Sequence, residues 1–117
     1  ISQNSDKKHF CIFDELYSGT NPFEAISSAQ SYLEYLSNFK SVKFMLTTHF
    51  IKLCKNLKKN KNISNINMET IVENNVSTYK YKIKKGISSV KGGISVLKEL
   101  NYPEKIVNNT ITNLKKL

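Results

Sequence analysis

Arginine is absent from this chain: all 18 basic residues are lysines. Base-reading and phosphate-clamping sites favour arginine, whose planar fork makes paired hydrogen bonds that an ammonium group cannot. Acidic residues are also few, and the formal net charge is +9. Asparagine rises with lysine, as in "KKNKNISNIN" (58–67). Lysine and asparagine enriched together, without arginine, point to a nucleotide-composition bias in the gene. The lysines therefore read as a solvated basic surface rather than a sequence-reading interface. Cysteine is scarce, and Cys11 and Cys54 form no close-spaced ligand pair. That excludes a disulfide framework and a zinc ribbon, and suits a reducing compartment. A zinc site from His9, Cys11, His49 and Cys54 is disfavoured, because His9 and Cys11 share one face of a buried strand. No apolar run approaches the roughly 18 residues of a membrane span. The opening "ISQNSDKK" has no signal-peptide pattern, and internal repeats are lacking. With 117 residues and no initial Met, the chain is expected to be one domain or a piece of one.

What is present reads as an α/β pattern. His9–Phe13 is a short apolar run, expected to be a strand buried on both faces as in a parallel sheet. Asn21 can cap a helix, Pro22 suits its first position, and Glu24 falls at the third. Ile26, Ala29, Leu33 and Leu36 then recur at helical spacing, so a helix is expected over Pro22–Leu36. Val42–Thr48 is a second strand. Strand, helix and strand in about 40 residues make a βαβ unit with parallel strands. A short helix carrying Ile51, Leu53, Cys54 and Leu57 follows.

"INMETIV" and "STYKYKI" are two further strands, joined by "ENNVS" as a hairpin turn. Alternation in "TYKYKI" places Tyr79, Tyr81 and Ile83 on one face and Lys80, Lys82 and Lys84 on the other. That pattern predicts a half-exposed strand near an edge, guarded by its lysines. "GISSVKGG" reads as a loop. Ile94, Leu97 and Leu100 predict a short helix, and Pro103 opens a last one with Val107, Ile111 and Leu114 on its stripe. That helix is expected to run to Leu117 without a cap.

Ligands of open parallel sheets sit beyond the carboxyl ends of the strands. Here the first strand ends in Asp14-Glu15 and the second in Thr47-Thr48-His49. Two carboxylates and an imidazole on one rim suit nucleotide hydrolysis. Asp14 can hold Mg²⁺, because hard cations take oxygen ligands. Glu15 can polarise an attacking water, and His49 can contact the γ-phosphate. "GISSVKGG" fails as a phosphate loop, since Lys91-Gly92-Gly93 stands where Gly-Lys-Ser/Thr is required.

These residues carry a resemblance. The chain resembles the C-terminal half of the ATPase domain (domain V) of the MutS family of DNA mismatch-repair proteins. "FCIFDE" resembles the Walker B strand, which implies Asp14 as the Mg²⁺ carboxylate and Glu15 as the catalytic one. "YSGTNPFEA" resembles the family's D-loop, which implies that Ser18, Gly19, Thr20 and Asn21 contact a second subunit. Ser18 stands where the family usually has a basic residue. "LTTHFIKL" resembles the switch segment, with His49 as the switch histidine and Thr48 beside the nucleotide. Gly86, Ser89, Gly93, Val96, Leu100, Pro103 and Val107 fall in step with the family's closing series. Lys91-Gly92 departs from its usual Ser-Tyr pair. Tyr81 lines up with an aromatic ring that packs near adenine in some members.

The resemblance implies a partial P-loop NTPase fold of the ABC-ATPase type over residues 1–117. Its parallel strands would carry flanking helices, with a strand pair and C-terminal helices added. It implies ATP and Mg²⁺ as cofactors, a second MutS-like subunit as partner, and no membrane. Mismatched or damaged DNA would be bound mainly by domains that, like the Walker A half, are expected to precede Ile1. An intracellular setting follows, in cytoplasm or nucleus. Two alternatives stand beside it: another ABC-type ATPase, SMC-like or transporter-like, and a basic binding module that is non-catalytic in isolation. The parent is expected to be an ATP hydrolase and the isolated 117 residues to be inactive.

Overall fold

The structure is a computed structural model that describes residues 6–74, 76–90 and 92–117. Asn75 in the expected hairpin turn and Lys91 in the glycine-rich segment lie outside the described residues. The chain forms two compact units, Ile1–Asn65 and Ile66–Leu117.

The first unit contains β1 (His9–Asp14), α1 (Pro22–Leu36), β2 (Val42–Thr47) and α2 (Ile51–Leu57). β1 and β2 pair in parallel, with His9 opposite Val42 and Asp14 opposite Thr47. α1 starts where its caps dictate. The Asn21 side chain accepts from the Phe23 N–H at 2.9 Å, and Pro22, which has no N–H to leave unpaired, takes the first turn. At the other end the Ser37 N–H bonds back to Leu33 O. The stripe of α1 buries Ala25, Ala29, Leu33 and Leu36. Ala29 and Leu33 meet Leu53 and Leu57 of α2, and Phe13, Phe44 and Leu46 of the strands pack against this cluster.

The alanines let α1 lie close, while Leu33 and Leu53 fill the space between the helices. Amides align the outer edges: Asn56 Nδ2 donates to Gln30 Oε1 at 2.8 Å, and Asn60 Nδ2 to Ser37 Oγ at 3.0 Å. Leu33 is 1% exposed. Leu33→Ala is therefore expected to cost about 2–5 kcal/mol through lost burial and the cavity left behind. Urea unfolding of the intact protein checks this. A loss under about 1 kcal/mol would show a site that collapses freely.

β1 is not buried on both faces. Phe13 faces the core, but Phe10 and Ile12 are 65% and 71% exposed, and Met45 beside them on β2 is open as well. The reason is that both helices of this unit lie on the same side of a two-stranded sheet. Cys11 and Cys54 are free thiols, and burial pushes the Cys54 thiol up from its ordinary pKa.

The second unit contains β3 (Ile66–Glu73), β4 (Val76–Lys85), α3 (Gly92–Glu99) and α4 (Glu104–Leu114). β3 and β4 form an antiparallel hairpin, and Asn74 takes the left-handed conformation at its turn (φ +49°). Strict alternation along β4 fails. Met68 pairs with Ile83 but Thr70 with Tyr79, so β4 carries extra residues there and Tyr81 sits in a bulge at φ +53°. Its exposed stretch then includes Tyr79 and Ile83 as well as the lysines, where a half-buried strand is expected from alternation.

Gly86 adopts φ +104°, a conformation that favours glycine, as the chain leaves β4. Gly92 and Gly93 belong to the start of α3, not to a loop. Leu100 lies beyond the end of α3 and is exposed. Pro103 is the N-cap of α4 and Val107 is its buried residue. α4 ends at Leu114 and is capped at Lys115, short of the expected Leu117. The described residues form an α/β fold with a parallel and an antiparallel strand pair. No described helix is long and apolar enough to cross a membrane.

Candidate functional site

The parallel register sets the site. Because Asp14 pairs with Thr47, the carboxyl ends of both strands stop at one level. The Thr47 hydroxyl donates to Asp14 Oδ1, which ties the two ends together through side chains. One more ladder bond, Glu15 N–H to Thr47 O at 3.0 Å, carries the pairing past β1. The chain then turns sharply. Glu15 and Tyr17 adopt left-handed backbones (φ +49° and +62°), and the Ser18 N–H closes the turn on Glu15 O at 3.0 Å. Non-glycine residues in this region are uncommon, and such strain gathers at functional sites.

His49 follows β2 and reaches back to the same turn. Its Nδ1 lies 3.1 Å from Glu15 Oε1. An ionised carboxylate only accepts, so Nδ1 carries the proton in this contact and Nε2 is the nitrogen left for another partner. The imidazole packs against Phe50, with ring centroids 4.5 Å apart, and Phe50 is anchored on the core of the unit. Both side chains of the pair remain more than half exposed, at 64% for His49 and 51% for Glu15. This is an open rim with access for a ligand.

The structure thus brings together Asp14, Glu15 and His49, along with Thr47. Thr48 is placed differently: its Oγ1 accepts from the Phe50 N–H at 3.0 Å and shapes the entry to α2. Thr47 is the rim residue that sequence reading missed as a site residue. Its place at the end of the second strand is visible in the sequence, but its bond to Asp14 follows only from strand register, which makes the two direct neighbours.

The segment after the turn is local in its bonding. Thr20 Oγ1 donates to Glu24 Oε2 at 3.4 Å, and the Asn21 side chain is occupied in capping α1. Ser18, Gly19, Thr20 and Asn21 are all exposed. Tyr81 stands in the second unit, on the bulge of β4, with 85% of its surface open. Among the described residues no three of His, Cys, Asp and Glu group as a metal cage.

Comparison with known proteins gives the wider context. The family model described as MutS domain V matches residues 1–117. A DNA mismatch repair protein MutS of Aquifex pyrophilus is 29% identical over all of this chain and 14% of its own length. An Endonuclease MutS2 of Clostridium kluyveri is 34% identical over 97% of this chain and 14% of its own. The DNA mismatch repair protein MSH2 of Saccharomyces cerevisiae is 29% identical over 92% of this chain and 12% of its own. The chain therefore spans about one-seventh of the length of the first two relatives.

Proposed function

We propose, from the premise that this chain belongs to the MutS family as its domain V, that it supplies the water-activating half of an ATP-hydrolysing site. The observation that supports the reading most is the rim itself: Asp14 tied to Thr47, and Glu15 on His49, at the carboxyl ends of two parallel strands. The sheet fits part of a P-loop NTPase of the ABC-ATPase type. Its open apolar face at Phe10, Ile12 and Met45 fits a sheet completed by further chain. Membership of the MutS family removes the case for a transporter-like or SMC-like ATPase.

The reaction is in-line attack of water on the γ-phosphate of ATP, in which catalysis is mostly positioning and charge. Glu15 holds His49 through Oε1 and orients the attacking water through Oε2. His49, fixed by Glu15 on one side, presents Nε2 to the γ-phosphate. The donor set fits Mg²⁺ rather than a caged metal. Mg²⁺ keeps several waters and takes only one or two carboxylates, and Asp14 Oδ2 is left free by the Thr47 bond. When bound, the ion neutralises charge on the phosphate oxygens. Thr48 lies beside the nucleotide, and Ser18, Gly19, Thr20 and Asn21 meet a second MutS-like subunit. The parent protein would act on mismatched or damaged DNA inside the cell, switching clamp states with ATP.

The chain contains no Gly-Lys-Ser/Thr phosphate loop, so alone it behaves as a non-catalytic basic module. ATP turnover by the intact protein that carries this chain tests the reading. Mg²⁺-dependent hydrolysis is expected, and its absence overturns the assignment. In the same assay Tyr81→Ala is expected to raise the KM for ATP about 2–10-fold, the worth of one aromatic stacking contact with adenine. An unchanged KM would take Tyr81 out of the site.

A further inference from the structure

From Tyr35 to Met68 the chain carries seven lysines and no aspartate or glutamate. A composition bias explains many lysines. It does not explain why every one of the nine acidic residues lies outside this stretch. Five of the seven, Lys52, Lys55, Lys58, Lys59 and Lys61, fall in α2 or just after it, and all five are exposed. No side-chain ammonium of the five has an ion-pair or hydrogen-bond partner among the described residues.

Lys52 and Lys55, three residues apart, share a helix face. Lys58 caps α2 in right-handed helical geometry (φ −56°, ψ −27°) and carries the winding onward. The opposite side of the helix is already buried, with Leu53 and Leu57 in the core. Unpaired like charges held this close repel one another, and a polyanion relieves that repulsion.

We propose that this lysine face of α2 binds the phosphate backbone of double-stranded DNA without reading its sequence. Three observations select this partner. The cations are lysines, which meet phosphates as point charges and lack the fork that reads guanine. The apolar residues of the helix, Ile51, Leu53, Cys54 and Leu57, are buried or half-buried, so nothing is left to enter a bilayer as an interfacial helix must. No aromatic side chain occurs in residues 51–62, and single strands need such stacking platforms. A duplex carries a charge per roughly 1.7 Å of axis, so even two turns of helix, about 10 Å, face several phosphates. None of these lysines is among the rim residues Asp14, Glu15, Thr47 and His49, and the proposed DNA binding does not require ATP hydrolysis.

The experiment measures affinity of the intact protein for fully paired duplexes of unrelated sequence, by fluorescence anisotropy across about 50–200 mM salt. A variant with Lys52→Gln, Lys55→Gln, Lys58→Gln and Lys59→Gln is compared with the parent. The slope of log affinity against log salt is expected to fall by about 3–4, near 0.9 for each phosphate no longer neutralised, equally for every sequence. The four Lys→Arg changes keep the charge and are expected to keep the slope, which separates charge from helix damage. An unchanged slope in the Gln variant overturns the proposal. So does an effect confined to single strands, RNA duplexes or anionic vesicles. ATP turnover without DNA, read in parallel, reports on the rim alone.

Discussion

Glu15→Gln is expected to leave ATP binding intact and to slow hydrolysis by about 10²–10⁴-fold, the range typical of a lost general base. The amide is nearly the same size as the carboxylate. Its oxygen still accepts the His49 Nδ1 proton, so the 3.1 Å contact survives. What would disappear is the negative charge, and with it the basicity that the proposed role asks of Oε2. An interaction made only as the reaction proceeds lowers turnover without weakening ground-state binding. Single-turnover hydrolysis and equilibrium ATP binding, measured on the same preparation, separate the two. Turnover equal to that of the parent would remove Glu15 from the role. Weaker ATP binding with normal turnover would make it a binding residue.

Asp14→Asn is expected to reduce hydrolysis at ordinary Mg²⁺ by about 10²-fold or more, since metal stabilisation of phosphoryl charge is worth several kcal/mol. The substitution is mild for the fold. Asparagine Oδ1 still accepts the Thr47 hydroxyl, so the strand ends stay joined. The loss falls on the free oxygen, whose charge attracts a hard cation and its waters. Excess metal is expected to restore part of the rate. A fold defect would give no such rescue, and the far-UV CD spectrum would show it.

Much of this was legible in the sequence, for local reasons. α1 runs over Pro22–Leu36 as expected, because Asn21, Pro22 and the apolar stripe are signals confined to neighbouring residues. The hairpin of β3 and β4 was legible from its two runs and the asparagine turn. The departures come from tertiary context. The outer face of β1 is open because both helices of its unit pack on one side, a fact that no single strand encodes. The bulge at Tyr81 is a mismatch between two strands, so the alternation of one strand concealed it. Within the candidate site, Asp14 and Glu15 stood out as charges ending an apolar run, and His49 as the lone imidazole after another. Thr47 did not, since its meaning depends on the partner that register assigns.

A metal titration of single-turnover ATP hydrolysis tests most directly the proposed division of labour between the two carboxylates. The intact protein, Asp14→Asn and Glu15→Gln are compared across Mg²⁺ concentration. Asp14→Asn is predicted to raise the half-saturating Mg²⁺ while approaching the parent rate at excess metal. Glu15→Gln is predicted to keep the parent's half-saturating Mg²⁺ and to lower the rate at every concentration. If the two variants shift the metal requirement alike, or if neither changes the titration, the carboxylates at the end of β1 do not hold these separate roles.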